Sequence, residues 1–374
     1  MSEPAGTRPR LLDLAPADAA RELGPWLAQR GESAYRLDQI VPRLWQRPVA
    51  RWSDATELPA ALRAALEADW PLGRLTLAVR QESRDGTVKY LWRLEDGEAI
   101  ESVLIPEGKR RTLCISSQAG CPLRCTFCAT GTMGLHRNLA AWEIAAQVRE
   151  LLLVPEPVKP TNVVFMGMGE PLLNWPAVGP ALTILNDPRG LGIGARHITV
   201  STVGILPGVA ELARRPEQFR LAISLHAPTH EARLALMPIE KKYPLKDVVA
   251  AAARFKRRVT FEYVLIGGVN DRPEDVAALA QLARETGALV NLLPLHPGGA
   301  QGLARSPTRR MHGFAAALRR RGVEAVLRKS RGLDIAAACG QLRIAAEGAE
   351  VAAQPDGHVH QPGGVRHGAH APTA

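Results

Sequence analysis

The chain has 374 residues, 46% of them hydrophobic, with a formal charge of +10 and a pI near 9.8. That supplies core for one large α/β domain and a smaller companion, and no apolar run approaches the roughly 18 residues of a membrane span. The opening MSEPAGTRPRLLDLAP lacks the layout of a signal peptide, so a reducing, cytoplasmic address is expected, where clustered cysteines point to metal or catalysis rather than to disulfides.

In chain order, residues 17–70 read as helices: AYRLDQIVPRLWQR and LPAALRAALEADW both carry apolar side chains at helical spacing. Ser53-Asp54, followed by Pro59, fits a helix start. Three strands are expected next, in LTLAVRQ, TVKYLWRL and AIESVLIP, with Asp85-Gly86 and Asp96-Gly97 as hairpin turns. From about residue 111 strands and helices alternate: TLCISS, NVVFMG, HITVST, RLAISL, RVTFEYVLI and LVNLLPL are each followed by a helical pattern, the last near 308–321. About six βα units argue a parallel sheet, and apolar strands such as VVFM suit one covered on both faces. The arc suggests a partial (βα)6 barrel with its site at the C-terminal strand ends; an open doubly wound sheet is the alternative. The boundaries are drawn as a helical accessory module over 1–75, a β extension over 76–110, a barrel over 111–345, and a disordered tail over 346–374. The tail holds His358, His360, His367 and His370, but nothing fixes their geometry for a metal.

Basic clusters recur at Lys109–Arg111, Arg254–Arg258, Arg309-Arg310, Arg319–Arg321 and Arg328–Arg331. They suit a polyanion such as nucleic acid, or else form solvated helix faces. Four tyrosines and six phenylalanines give no evident platform for stacked single strands.

Cys121-x3-Cys125-x2-Cys128 presents three thiols from one loop directly after the first strand of the array. Three thiolates leave one iron of a four-iron cluster open to a non-protein ligand. The alternatives are a structural zinc, for which no second cysteine pair is present, or buried thiols. In NVVFMGMGEPLLN, Gly167 and Gly169 lead out of a strand, and Leu172 stands where a dinucleotide fingerprint needs glycine. Glu170 there offers a carboxylate for a cationic group. Ser201 and Ser224-Leu225-His226 end two further strands, where hydroxyls suit a ribose or a carboxylate, or simply cap the strand. Cys339 stands alone in AAACGQL, a default buried residue, yet Arg328, Lys329 and Arg331 precede it and favour a thiolate.

The cysteine loop, with Phe127 between its last two cysteines, resembles the radical S-adenosylmethionine superfamily. ESVLIPE, GMGEPLLN, SLHAP, LMPI, KKYPL, FEYVLIGGVND and RGLDIAAACGQL extend the likeness to the RlmN/Cfr family of RNA methyltransferases, from the front helices to about residue 345. The resemblance implies a [4Fe-4S] cluster on Cys121, Cys125 and Cys128, with the amino group of S-adenosylmethionine at Gly169-Glu170. It further implies cofactor contacts at Ser201, Ser224, Leu225, His226 and His296. The general run of motifs is closer to the RlmN branch, which methylates C2 of adenosine in 23S rRNA and tRNA, than to the Cfr branch, which methylates C8. A flavodoxin or ferredoxin as electron donor, a monomeric state and no membrane partner complete what it implies.

On this resemblance Cys339 takes a methyl from one S-adenosylmethionine. A 5′-deoxyadenosyl radical from a second then removes a hydrogen from that methyl, and the carbon radical adds to adenine. Cys114 resolves the resulting adduct through a transient disulfide with Cys339. Glu101 matches the family's proton acceptor, though Glu98 and Glu107 are equal candidates by sequence alone. One departure stands out: the family's asparagine near the last barrel strand is His296 here, which differs in size, charge and tautomers.

Overall fold

The protein is described by a computed structural model over residues 9–296, 302–338 and 340–342. The 346–374 tail, with its four histidines, and Cys339 itself lie outside the described residues.

The front helices are α1 (Pro16–Ala28), α2 (Arg36–Leu44) and α3 (Ala60–Asp69). Each buries one apolar stripe: Ala19, Leu23, Trp26 and Leu27, then Ile40, Val41 and Leu44, then Leu62 and Leu66. Ser53 and Asp54 do not cap α3. They form a 3-10 turn, Trp52–Asp54, and the helix starts after Pro59, whose fixed φ suits a helix entry. Trp52 Nε1 donates to Trp70 O at 2.7 Å, tying that turn to the end of α3.

The strands β1 (Thr76–Glu82), β2 (Val88–Arg93), β3 (Ala99–Glu107) and β4 (Arg110–Cys114) form an antiparallel meander. Asp85 and Asp96 accept from the backbone amides two residues on, as aspartates in tight turns do. β4 then begins the parallel part. After it come a short hairpin, β5 (Gln118–Gly120) with β6 (Leu135–Asn138), and a short helix between them, α4 (Ala129–Met133). The array continues with α5 (Ala141–Arg149), β7 (Asn162–Phe165), α6 (Trp175–Asn186), β8 (Ile198–Thr202), α7 (Leu206–Arg214) and β9 (Arg220–Ser224). It ends with α8 (His230–Leu236), α9 (Leu245–Arg254), β10 (Val259–Leu265), α10 (Pro273–Thr286), β11 (Leu289–Pro294), α11 (Thr308–Arg320) and β12 (Ala325–Leu327).

All strands except β5 and β6 join one ten-stranded sheet in the order β1-β2-β3-β4-β7-β8-β9-β10-β11-β12. From β4 onward the order follows the chain without reversal, and every pair is parallel. A doubly wound sheet needs a reversal of strand order, so the partial barrel holds and the alternative falls. The six expected parallel strands are present, and β12 adds a seventh. Among the described residues the sheet does not close, and the antiparallel meander extends its first edge.

Every residue of α5 is buried: it packs beside α6 and against the turn before α1, where Trp142 N donates to Asp13 Oδ1 at 3.0 Å. Arg149 is fully buried, donating from Nε to Leu44 O at 2.9 Å and from Nη2 to Val49 O at 2.6 Å, while Nη1 meets Glu150. Buried charge is tolerated only when so satisfied. This is how the barrel grips the loop after α2. Among the described residues no helix is long and apolar enough to cross a membrane.

Candidate active site

The C-terminal ends of the parallel strands open into a cavity of about 160 Å³. Cys121, Cys125 and Cys128 line it. Their loop is pinned at several points: Cys121 N donates to Gly134 O at 2.7 Å and Thr126 N to Leu236 O at 3.0 Å. Ala129 N donates to Gly340 O at 2.8 Å, and Thr130 Oγ1 to Leu342 O at 2.6 Å. The residues just after Cys339 are thereby docked on the residues just after Cys128. Burial, then the charge of the neighbouring thiols and Glu170, pushes Cys121 up to about 12 and raises Cys125 further. Such thiols ionise only against a strong positive partner. Among the described residues no three His, Cys, Asp or Glu side chains converge on a single ion.

Gly169 and Glu170 form the next part of the wall. Gly169 has φ +97°, and a Cβ there would sit 2.6 Å from Gln118 Cβ, so only glycine lets the turn close against β5. Glu170 is 3% exposed, and burial raises its pKa to about 7. Its two carboxylate oxygens accept from Leu172 N at 3.0 Å and Val203 N at 2.9 Å. Ser201 and Ser224 line the cavity with their hydroxyls 3.4 Å apart. His226 has φ +56°, unusual for a residue with a side chain. Val264 N donates to its Nδ1 at 3.1 Å and Asn270 Nδ2 to its carbonyl at 2.7 Å. Nδ1 is therefore the acceptor and Nε2 carries the proton, while burial lowers the pKa to about 3. The ring meets Phe127 edge-on at 4.6 Å. Leu225 is fully buried and lies off the cavity wall; its amide donates to Glu262 O at 3.0 Å.

A second cavity, of about 80 Å³, adjoins the first: Met166, Leu293, Pro294 and His296 line both. Cys114, Val103 and Ile105 form one side, Arg328, Lys329 and Arg331 another, and Ala337 and Ala338 bring the approach to Cys339 into its wall. His296, at the junction, has its pKa lowered by burial and then by Arg305, so it offers a neutral imidazole. Glu101 lies on the wall of neither cavity, yet it shares a strand face with Val103 and Ile105, because alternate residues of a strand point the same way. It is 3% exposed, with Lys89 Nζ at 3.2 Å. No motif in the sequence singles out Met166, Glu262 or Asn291 as a site residue. Glu262 had a visible signal, a lone charge in the apolar run VTFEYVL.

The chain matches the Radical SAM superfamily over residues 115–282. It is 61% identical over 354 residues to "Probable dual-specificity RNA methyltransferase RlmN" of Gemmatimonas aurantiaca, covering 94% of this chain and 98% of that one. It is 45% identical to "Dual-specificity RNA methyltransferase RlmN" of Anaeromyxobacter dehalogenans, covering 87% and 90%. A crystal structure of a radical SAM methyltransferase from Sphaerobacter thermophilus superposes with a TM-score of 0.83 at 43% identity, over 90% of this chain and 99% of that one. Its sequence, its sheet and its cysteine-lined cavity agree: the chain belongs to the RlmN family of dual-specificity RNA methyltransferases, within the radical SAM superfamily.

Proposed function

We propose that the chain methylates C2 of an adenosine in 23S rRNA and in tRNA, with the methyl group carried on Cys339 before it reaches the base. The observation that supports this best is the shared wall of the two cavities. Three cysteines enter one, Cys114 enters the other, and the segments flanking Cys339 border both: Gly340 lines the first, Ala337 and Ala338 the second.

Cys121, Cys125 and Cys128 would hold a four-iron cluster. The donor set fits, since a cluster gives each thiolate its own iron and asks for no convergence on one ion. Gly169, Glu170, Ser201, Ser224, His226 and His296 would hold S-adenosylmethionine, with Leu225 serving through its backbone. Bound together, cluster and cosubstrate supply one-electron reduction and a hydrogen-abstracting radical.

The chain's own residues do the rest. Cys339, as a thiolate, would take the methyl from S-adenosylmethionine, releasing S-adenosylhomocysteine. Adenine C2 is electrophilic, so a carbon tethered to the protein succeeds where direct attack on a sulfonium methyl does not. Glu101, oriented by Lys89, takes the C2 proton on its carboxylate. The adduct would give up its odd electron to the bound cluster. Cys114, as a thiolate, then attacks the Cys339 sulfur, and the bond from that sulfur to the new methylene breaks with its electron pair on carbon. The carbon takes up a proton to become the methyl group, and a transient disulfide is left between the two cysteines. The front helices and the basic strand-end Arg328–Arg331 would dock the RNA. A flavodoxin or ferredoxin would deliver electrons to a monomer in the reducing cytoplasm.

Mass spectrometry of rRNA and tRNA from a deletion strain tests the reading. Loss of 2-methyladenosine from both RNAs, restored by the gene, is expected. Loss of the 8-methyl isomer instead would assign the chain to the C8 chemistry.

A further inference from the structure

Polar side chains on three neighbouring strands fall into one row inside the barrel, and a serine of a fourth strand touches its end. In the parallel register Ser224 of β9 stands opposite Glu262 of β10, and Glu262 opposite Asn291 of β11. Ser201 of β8 touches the end of the row through its contact with Ser224. Ser201, Ser224 and Glu262 all line the cysteine cavity. The neighbours of Glu262 on its own strand, Phe261 and Tyr263, are fully buried. A carboxylate is therefore an exception on this strand and requires a partner.

Its partners are incomplete. Glu262 is 4% exposed, and Asn291 Nδ2 donates to its Oε1 at 2.9 Å. Oε2 is buried and meets no hydrogen-bond donor among the described residues. The other carboxylate on this wall differs: Glu170 has both oxygens engaged by backbone amides. Burying a carboxylate oxygen with nothing to accept is costly, so an orphan of this kind on a cavity wall marks a place where a ligand brings the donor.

The donor's chemistry follows from the row. Glu170 follows β7 and lines the cavity together with the three cysteines, whereas Glu262 stands on β10, with β8 and β9 between them. The amino-acid end of a cosubstrate held at Glu170 and the cysteines would therefore leave its sugar toward the row. A ribose cis-diol offers two adjacent O–H donors, and the serine hydroxyls beside Glu262 can donate or accept in turn. We propose that Glu262 is a cosubstrate-binding residue whose Oε2 accepts from the ribose cis-diol of the S-adenosyl group, with Asn291 as the positioning residue that holds the carboxylate. This rests on the reading above that S-adenosylmethionine binds this cavity.

The test measures binding, with S-adenosylhomocysteine as an unreactive probe on the intact, cluster-loaded protein by isothermal titration. Glu262→Gln keeps the shape and is expected to weaken S-adenosylhomocysteine by about 10- to 100-fold, as loss of a charge-assisted hydrogen bond does. The 2′,3′-dideoxy analogue is expected to lose affinity on the parent protein but to lose little more on Glu262→Gln, because the two changes remove the same contact. Equal binding of S-adenosylhomocysteine to parent and Glu262→Gln would overturn the proposal, and so would an equal penalty for the dideoxy analogue on both. If Glu262→Gln loses the visible absorbance of the cluster, the parent alone decides: full-affinity binding of the dideoxy analogue overturns the assignment. A parent protein that binds no S-adenosylhomocysteine would overturn the reading of the cavity itself, an outcome distinct from the others.

Discussion

Asp334 Oδ1 accepts a hydrogen bond from Ser83 Oγ at 2.5 Å, joining two residues 251 positions apart. Its Oδ2 accepts from Arg84 N at 3.2 Å, and Asp85 Oδ2 accepts in return from Gly332 N at 3.0 Å. The tip of the β1–β2 hairpin thus clasps the segment that leads to Cys339. The clasp is tight. Gly332 has φ +61°, and a Cβ there would lie 2.7 Å from Ala337 Cβ and 3.0 Å from Thr87 Cγ2. The Ser83 hydroxyl and the Arg84 amide lower the Asp334 pKa, while Asp85, held by Thr87, Gly332 and Ser83, falls to about 2.

The clasp predicts that Asp334→Ala frees the segment that leads to Cys339 and leaves the cysteine loop undisturbed. Amide exchange over 331–338 should quicken, and methylation should fall by about 10- to 100-fold, the scale on which misplacing a reacting group by about an ångström acts. Visible absorbance should be unchanged. Unaltered exchange in that segment would dismiss the clasp.

Cys114 ends β4 opposite Val103 and walls the second cavity with Ala338. Cys114→Ala should therefore accumulate a denaturation-stable protein–RNA adduct, because nothing remains to attack the Cys339 sulfur. Cys339→Ala should form no adduct and no methylated RNA. Methylation surviving in Cys339→Ala would end the proposed route.

Much of this site was legible because its chemistry is compressed in sequence. Cys121, Cys125 and Cys128 fall within eight residues, and Gly169-Glu170 sit at a strand end whose apolar run announces it. What escaped was set by pairing across the sheet. Glu262 becomes notable only when the register places it between Ser224 and Asn291. The Asp334–Ser83 bond links segments that no local pattern joins. β12 is three residues long, too short for any period, and the β5–β6 hairpin hides because the cysteine loop itself lies between its strands. Ser53-Asp54 looked like a cap because the residue types fit, and the 3-10 turn claimed them first.

The cysteine loop predicts a coloured, iron-bearing protein. Anaerobic purification and reconstitution should give about four irons and four sulfides per chain, and replacement of Cys121, Cys125 or Cys128 by alanine should bleach it. A colourless protein containing zinc and no iron would sink the radical reading.

His226 carries a prediction about pH. Its folded pKa is near 3 because burial and then Arg233 disfavour the imidazolium, whereas an unfolded histidine titrates near 6.5. Above that value both states are neutral and the full stability is present. As pH falls below it the unfolded chain takes up the proton first, so stability is lost progressively toward pH 3. At pH 5 the loss is about 2 kcal/mol. His226→Asn keeps an acceptor for Val264 N, so its denaturant midpoint should fall less between pH 7.5 and pH 5 than the parent's. Parallel declines would mean that His226 is not the titrating group.

The RNA interface can be located by salt dependence. Of the five basic clusters, Arg319–Arg321 and Arg328–Arg331 give the sharpest contrast. At the end of α11, Arg319 Nε donates to Ala325 O at 2.9 Å and Arg321 Nη1 to Ala317 O at 3.2 Å, so part of that cluster already serves the fold. Lys329 and Arg331 instead line the second cavity beside Cys114, where a flipped adenosine would bring its phosphates. Each phosphate neutralised contributes about 0.7 to 0.9 to the slope of log K against log salt. Lys329→Glu and Arg331→Glu should each lower that slope by about one such step, and weaken all RNA substrates alike. Reversal at Arg320, exposed on α11, should change it less. An unchanged slope for Lys329→Glu and Arg331→Glu, with a large change for Arg320→Glu, would move the phosphate track from the cavity mouth to the end of α11.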